Sequence, residues 1–134
     1  MGRLRHKHGF TLVELMIVIV IIGVLAAVAV PIYTNNVRKA KMSEADAALG
    51  TIRTELRIYY GENGSYPVQA TAAPVVGAAW NDIGAGELTG KYFTDASYTY
   101  QSADGVSYSI TCAAGTVLNS DRVMDQDGNL SGGI

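Results

Sequence analysis

Between Phe10 and Val30 the sequence runs for 21 residues with one charged side chain, Glu14, and one other polar side chain, Thr11. As a helix this run is roughly 32 Å long, close to the ~30 Å hydrocarbon core of a bilayer. No small-residue cleavage site of the A-x-A kind follows it; Pro31-Ile32-Tyr33 does. The run therefore reads as a retained membrane helix rather than the shorter apolar core of an ordinary secretory signal. Arg3, Arg5 and Lys7 precede it, and a basic flank predicts that the first nine residues stay on the cytoplasmic side while the rest faces outward.

The remainder, residues 31–134, is polar and rich in glycine. The formal net charge of −2 hides an asymmetry, because three cations sit in the first nine residues and leave a distinctly acidic body. Such a body matches a phosphate backbone poorly, so general nucleic-acid binding is not expected. Cys112 is the sole cysteine. No intramolecular disulfide or cysteine-based zinc motif can be built from it, which leaves a half-buried strand thiol or, alternatively, a bridge between chains.

Two features separate the apolar run from a plain anchor. A carboxylate within a membrane span costs about 2.5–3.5 kcal/mol, so Glu14 demands a partner. The character of the chain also changes abruptly at Gly9-Phe10. A cut there would give Phe10 a new α-amine, able to pair with Glu14 of another copy and to neutralise both charges only in an assembly.

At these residues, Gly9-Phe10-Thr11-Leu12-Val13-Glu14-Leu15-Met16 and on to Pro31, the chain strongly resembles type IV pilins and the related pseudopilins. The resemblance implies cleavage after Gly9 by a membrane prepilin peptidase and N-methylation of Phe10 by the same enzyme. It also implies a role for Phe10 and Glu14 in assembly through a pilus assembly platform. Gly23 lowers helix stability by about 1 kcal/mol relative to Ala, and Pro31 loosens the helix at the preceding turn. The resemblance implies that the stretch between them extends or melts in a filament; the alternative is that Gly23 and Pro31 only curve the helix.

Past Pro31, Met42, Ala45, Leu49, Ile52, Leu56 and Tyr59 recur at 3-4-3-4-3 spacing, one stripe of a helix. Lys39, Glu44, Asp46, Arg53 and Arg57 are expected to face water or other subunits. Arg38, Lys39 and Lys41 read as a solvated basic face, or as partners for acids on neighbours. Gly61 is expected to end the helix, followed by turn signals at Glu62-Asn63-Gly64. One bent helix from Phe10 to Tyr60 would be roughly 76 Å long. The segment Tyr59 to Pro67, with Asn63-Gly64-Ser65-Tyr66-Pro67, is a second and less specific resemblance to pilins. Residues 68–91 read as loop, anchored by Trp80. Asp104-Gly105 and Asp127-Gly128 mark hairpins between β-favouring runs.

The expected fold class is α+β: a long bent N-terminal helix, half membrane-spanning and half amphipathic, packed on a small antiparallel sheet of three or four strands. The expected divisions are a cleaved basic leader (1–9), a membrane and filament-core helix (10–31), its amphipathic continuation (32–60) and a β-rich head (61–134).

Asp125, Asp127 and Asn129 faintly resemble a calcium loop, but Gly128 falls one place early for an EF-hand. Some pseudopilins bind calcium near their C-terminus; a hairpin turn is the simpler reading, and no cofactor is expected. No nucleophile–base pair can be assembled, and His6 and His8 lie in the leader, so catalysis is not expected. Asn63-Gly64-Ser65 fits an Asn-x-Ser acceptor only in a eukaryotic-type secretory context.

The expectation is a structural subunit of a type IV pilus, a homopolymer through its N-terminal helices. The precursor would sit in the inner membrane and the product in an extracellular filament. The alternatives are a periplasmic pseudopilin of a type II secretion system and a membrane-anchored binding domain that does not polymerise. Cys112 alone departs from the C-terminal disulfide loop common in Gram-negative pilins.

Overall fold

The structure is a computed structural model that describes residue 2 and residues 8–134. The basic residues Arg3, Arg5 and Lys7, together with His6, lie outside the described residues. One helix, α1 (Leu12–Asn63), is followed by five strands: β1 (Gln69–Pro74), β2 (Tyr98–Ser102), β3 (Ser109–Cys112), β4 (Arg122–Asp125) and β5 (Leu130–Gly132). The strands form one antiparallel sheet in sequential order. The fold is α+β. The chain divides into two compact units, residues 1–37 and 38–134.

The first unit holds the apolar part of α1. Its large hydrophobic side chains are exposed, Phe10 by 84 %. An 18-residue window of the helix has a mean hydropathy of 3.1, with none of it buried. A helix that is apolar on every side and unburied is a membrane or assembly element by its own chemistry. It runs unbroken through Gly23 and Pro31.

The second unit is a sheet closed by the later turns of α1. Ala45, Leu49, Ile52 and Leu56 are fully buried, as the stripe predicts, with Met42 and Tyr59 partly buried at its ends. They meet the inward face of the sheet, where alternation along each strand selects Tyr98, Tyr100 and Ser102 on β2, Ile110 and Cys112 on β3 and Met124 on β4. Tyr100, Ile110 and Met124 form one cross-strand row.

Four expectations are corrected. The helix starts at Leu12 rather than Phe10 because Thr11 caps it. It ends at Asn63 rather than Tyr60, because Gly64 rather than Gly61 adopts the left-handed cap: its φ is +74°, and its N–H donates to the Tyr60 carbonyl at 2.8 Å. The sheet has five strands, since residues 69–74 pair with β2 despite their weak periodicity. A register irregularity between Gln69 and Ala73 hides that periodicity, and Gln101 Nε2 donates to the Ala70 carbonyl there at 2.8 Å. The fourth correction concerns the polar residues of α1. Glu44 and Asp46 have hydrogen-bond partners within the head, and the Arg53 guanidinium lies against Gly128 there.

Candidate assembly residues and the polar clamps of the head

Thr11 and Glu14 stand at the start of α1. The Thr11 N–H donates to Glu14 Oε2 at 3.0 Å, and the Glu14 N–H donates to Thr11 Oγ1 at 3.2 Å. This reciprocal pair satisfies two of the N–H groups that a helix start leaves without partners. The positive end of the helix dipole also favours a carboxylate in the first turn. Glu14 therefore has a partner within its own chain. The signal was present in the sequence as Thr-x-x-Glu ahead of an apolar run. Gly9 and Phe10 precede the cap and are exposed. Gly23 and Pro31 lie inside the helix, and Thr34 Oγ1 donates to the Pro31 carbonyl at 3.0 Å.

In the head, two polar residues of α1, Glu44 and Asp46, hold segments distant in sequence, and a third, Arg53, packs against one. The Glu44 carboxylate accepts the backbone N–H groups of Lys91 at 3.0 Å and of Tyr92 and Phe93 at 2.9 Å each. A Cβ on Gly90 would collide with that carboxylate, so glycine is what lets the two approach. Asp46 takes a two-point contact from Arg122, Nε to Oδ1 at 2.7 Å and Nη2 to Oδ2 at 3.0 Å, while Arg122 Nη1 donates to the Gly132 carbonyl at 2.8 Å. Arg122 lies on the inward row Tyr98–Cys112–Arg122–Gly132, which is why it reaches the helix. The Arg53 guanidinium lies beneath the Asp127-Gly128 turn, 2.8 Å from where a Gly128 Cβ would stand.

The candidate metal residues build that turn. Asp125 Oδ1 accepts the Asp127 N–H at 3.0 Å and the Asn129 N–H at 2.9 Å, and Asp125 Oδ2 accepts Asn129 Nδ2 at 3.1 Å. These bonds, led by those from Asn129, hold the Asp125 carboxyl below its ordinary value. Among the described residues, no group of three or more His, Cys, Asp or Glu side chains converges as a metal site. Cys112 is fully buried, more deeply than the sequence reading placed it, and burial pushes its thiol up to about 11.

A family model for the prokaryotic N-terminal methylation motif matches residues 4–30. The fimbrial protein EcpC of Eikenella corrodens is 38 % identical over 100 residues, 75 % of this chain and 60 % of that protein. The type IV major pilin protein PilE1 of Neisseria gonorrhoeae is 44 % identical over 69 residues, 52 % of this chain and 42 % of that protein. These similarities support a place for the chain in the type IV pilin and pseudopilin family. A further relative is the type II secretion system core protein G of Dickeya chrysanthemi, 41 % identical over 63 residues, 47 % of this chain and 41 % of that protein. The chain thus spans about half the length of the relatives it matches. No solved structure matches it.

Proposed function

We propose that the chain is a structural subunit of a type IV pilus filament, built after removal of residues 1–9. The observation that carries this is the exposed apolar half of α1 behind a Phe10–Glu14 start. In this reading a prepilin peptidase cuts after Gly9 and methylates the Phe10 amine, and Phe10 and Glu14 take part in assembly. Residues 10–31 serve first as an inner-membrane anchor and then as filament core. Gly23 and Pro31 mark the compliant part of that segment, 32–60 continue the helix, and 61–134 form the head on the extracellular fibre. The work is structural and calls for no catalytic group or cofactor.

The test is mass spectrometry of fibres sheared from the cell surface. Subunits should begin at Phe10 with a methylated amine; an N-terminus at Met1 or Gly2 refutes the processing. Glu14→Ala should be cleaved normally but enter filaments poorly, and a normal filament yield removes its assembly role. The similarity to a secretion-system core protein supports a second reading, a periplasmic pseudopilin. Deleting the gene should then abolish protein secretion and leave surface fibres intact.

A further inference from the structure

Among the described residues, the face of α1 turned away from the sheet has no partner between Ser43 and Gly61. At 100° per residue, Ser43, Ala47, Gly50, Thr54, Ile58 and Gly61 line up opposite the buried stripe. Ile58 is 53 % exposed. The Thr54 hydroxyl is turned back to the Gly50 carbonyl at 3.0 Å, and a Cβ on Gly50 or Gly61 would meet nothing within 4 Å. The strip is therefore shallow and nearly uncharged.

Its two borders carry opposite charge. On one side, Glu55 and Glu62 line a groove of about 240 Å³ together with Trp80 and Asp82. Trp80 is backed by Tyr100, with ring centroids 4.9 Å apart. On the other side of the strip Arg57 is exposed, about 200° around the helix from Glu55. Neither border neutralises the other within one chain. The sole salt bridge among the described residues is Arg122–Asp46.

Charge complementarity names the occupant as a second copy of this chain. When two copies lie side by side with their helices parallel, the acidic border of one lies against the basic border of the next. When they meet antiparallel, like charges are juxtaposed, which costs several kcal/mol in a contact of this kind. Opposite borders on one surface make a head-to-tail contact, the kind that continues into a fibre rather than closing as a pair. We propose that Arg57 of one copy enters the neighbouring copy's groove, against Glu55, Glu62 and Asp82 and over the indole of Trp80, and so fixes the parallel orientation of neighbouring helices. A guanidinium suits a site of carboxylates beside an aromatic face. The inference rests on the filament reading above.

The test is charge exchange in the full chain, expressed in cells that assemble it. Arg57→Glu should lower the amount of sheared surface filament at least tenfold while leaving the processed subunit in the membrane unchanged. The variant Glu62→Lys/Asp82→Lys should do the same. Combining all three substitutions should restore filaments to within twofold of wild type. As a direct measure, Arg57→Cys/Glu62→Cys should give oxidised ladders of subunits in wild-type-like filaments. Wild-type filament yield from Arg57→Glu, no recovery in the combined variant, or no ladder would overturn this contact and leave the filament reading standing. Absence of the wild-type chain from any fibre would overturn both.

Discussion

Removing the Glu44 carboxylate tests the claim that a helix side chain organises the loop ahead of β2. In Glu44→Ala the Lys91 N–H is exposed and turns to water, while the Tyr92 and Phe93 N–H groups are partly buried. Each of the latter loses a charged acceptor, at about 1–1.5 kcal/mol apiece, for a total near 3 kcal/mol with the weaker third bond. In a domain of roughly 100 residues that lowers Tm by about 12–24 °C. Gly90→Ala should reach part of the same loss from the other side, because its Cβ would displace the Glu44 carboxylate. The two changes share one contact, so their effects should not add, with a coupling of about 1–2 kcal/mol. The assay is thermal unfolding of the full chain in detergent, followed by near-ultraviolet circular dichroism, with hydrogen exchange at residues 91–93. A Glu44→Ala protein that melts within about 4 °C of wild type, roughly 1 kcal/mol, and keeps those amides protected refutes the reasoning.

Arg122→Met should cost about 2 kcal/mol, between the exposed and buried ion-pair ranges, and hydrogen exchange should accelerate first at Leu130–Gly133. Gly132→Ala should be worse, by more than about 3 kcal/mol on urea unfolding, because its φ is +75° and its Cβ would fall on the Asp121 carbonyl oxygen. At acid pH, Asp95, Asp104 and Asp125 are held below the usual 3.8, chiefly by the N–H groups of Gly86, Ser107 and Asn129. Their contribution is present above 3.8 and lost as pH falls through the lower folded values, so acid melts should steepen below that point and Asp104→Asn should flatten them. At alkaline pH the sign reverses. Burial raises Cys112 from 9.0 to about 11 and Tyr100 from 10.0 to about 12, so stability should fall as pH rises above 9. Native Cys112 should react with a thiol reagent at neutral pH only at the rate of unfolding.

The parts of the fold legible in the sequence were those set by period and turn chemistry. The 3-4 stripe located Ala45, Leu49, Ile52 and Leu56, and the two Asp-Gly pairs located the hairpins. Residues 69–74 were not legible, because Gln-Ala-Thr-Ala-Ala-Pro carries little hydrophobic contrast and its ladder is irregular at the sheet edge. The clamps were illegible for a different reason. Glu44 and Lys91 are 47 positions apart and Asp46 and Arg122 are 76 apart, and a lone sequence says nothing about which distant polar groups meet. At the start of the chain, Glu14 was legible as a charge that needs a partner. Its capping by Thr11 was equally legible, as the local Thr-x-x-Glu spacing of a capping box.

All the fully buried side chains of α1 fall between Ala45 and Leu56. One uninterrupted helix is therefore subject to two sets of constraints. A saturation library along it should read like two different genes spliced end to end. At positions 45–56, substitutions would be scored by whether the head survives heating. At positions 12–37 they would leave the head's melting unchanged and be scored by the surroundings alone. The boundary between the two phenotypes would mark, residue by residue, where the chain stops answering to its own core and starts answering to its surroundings.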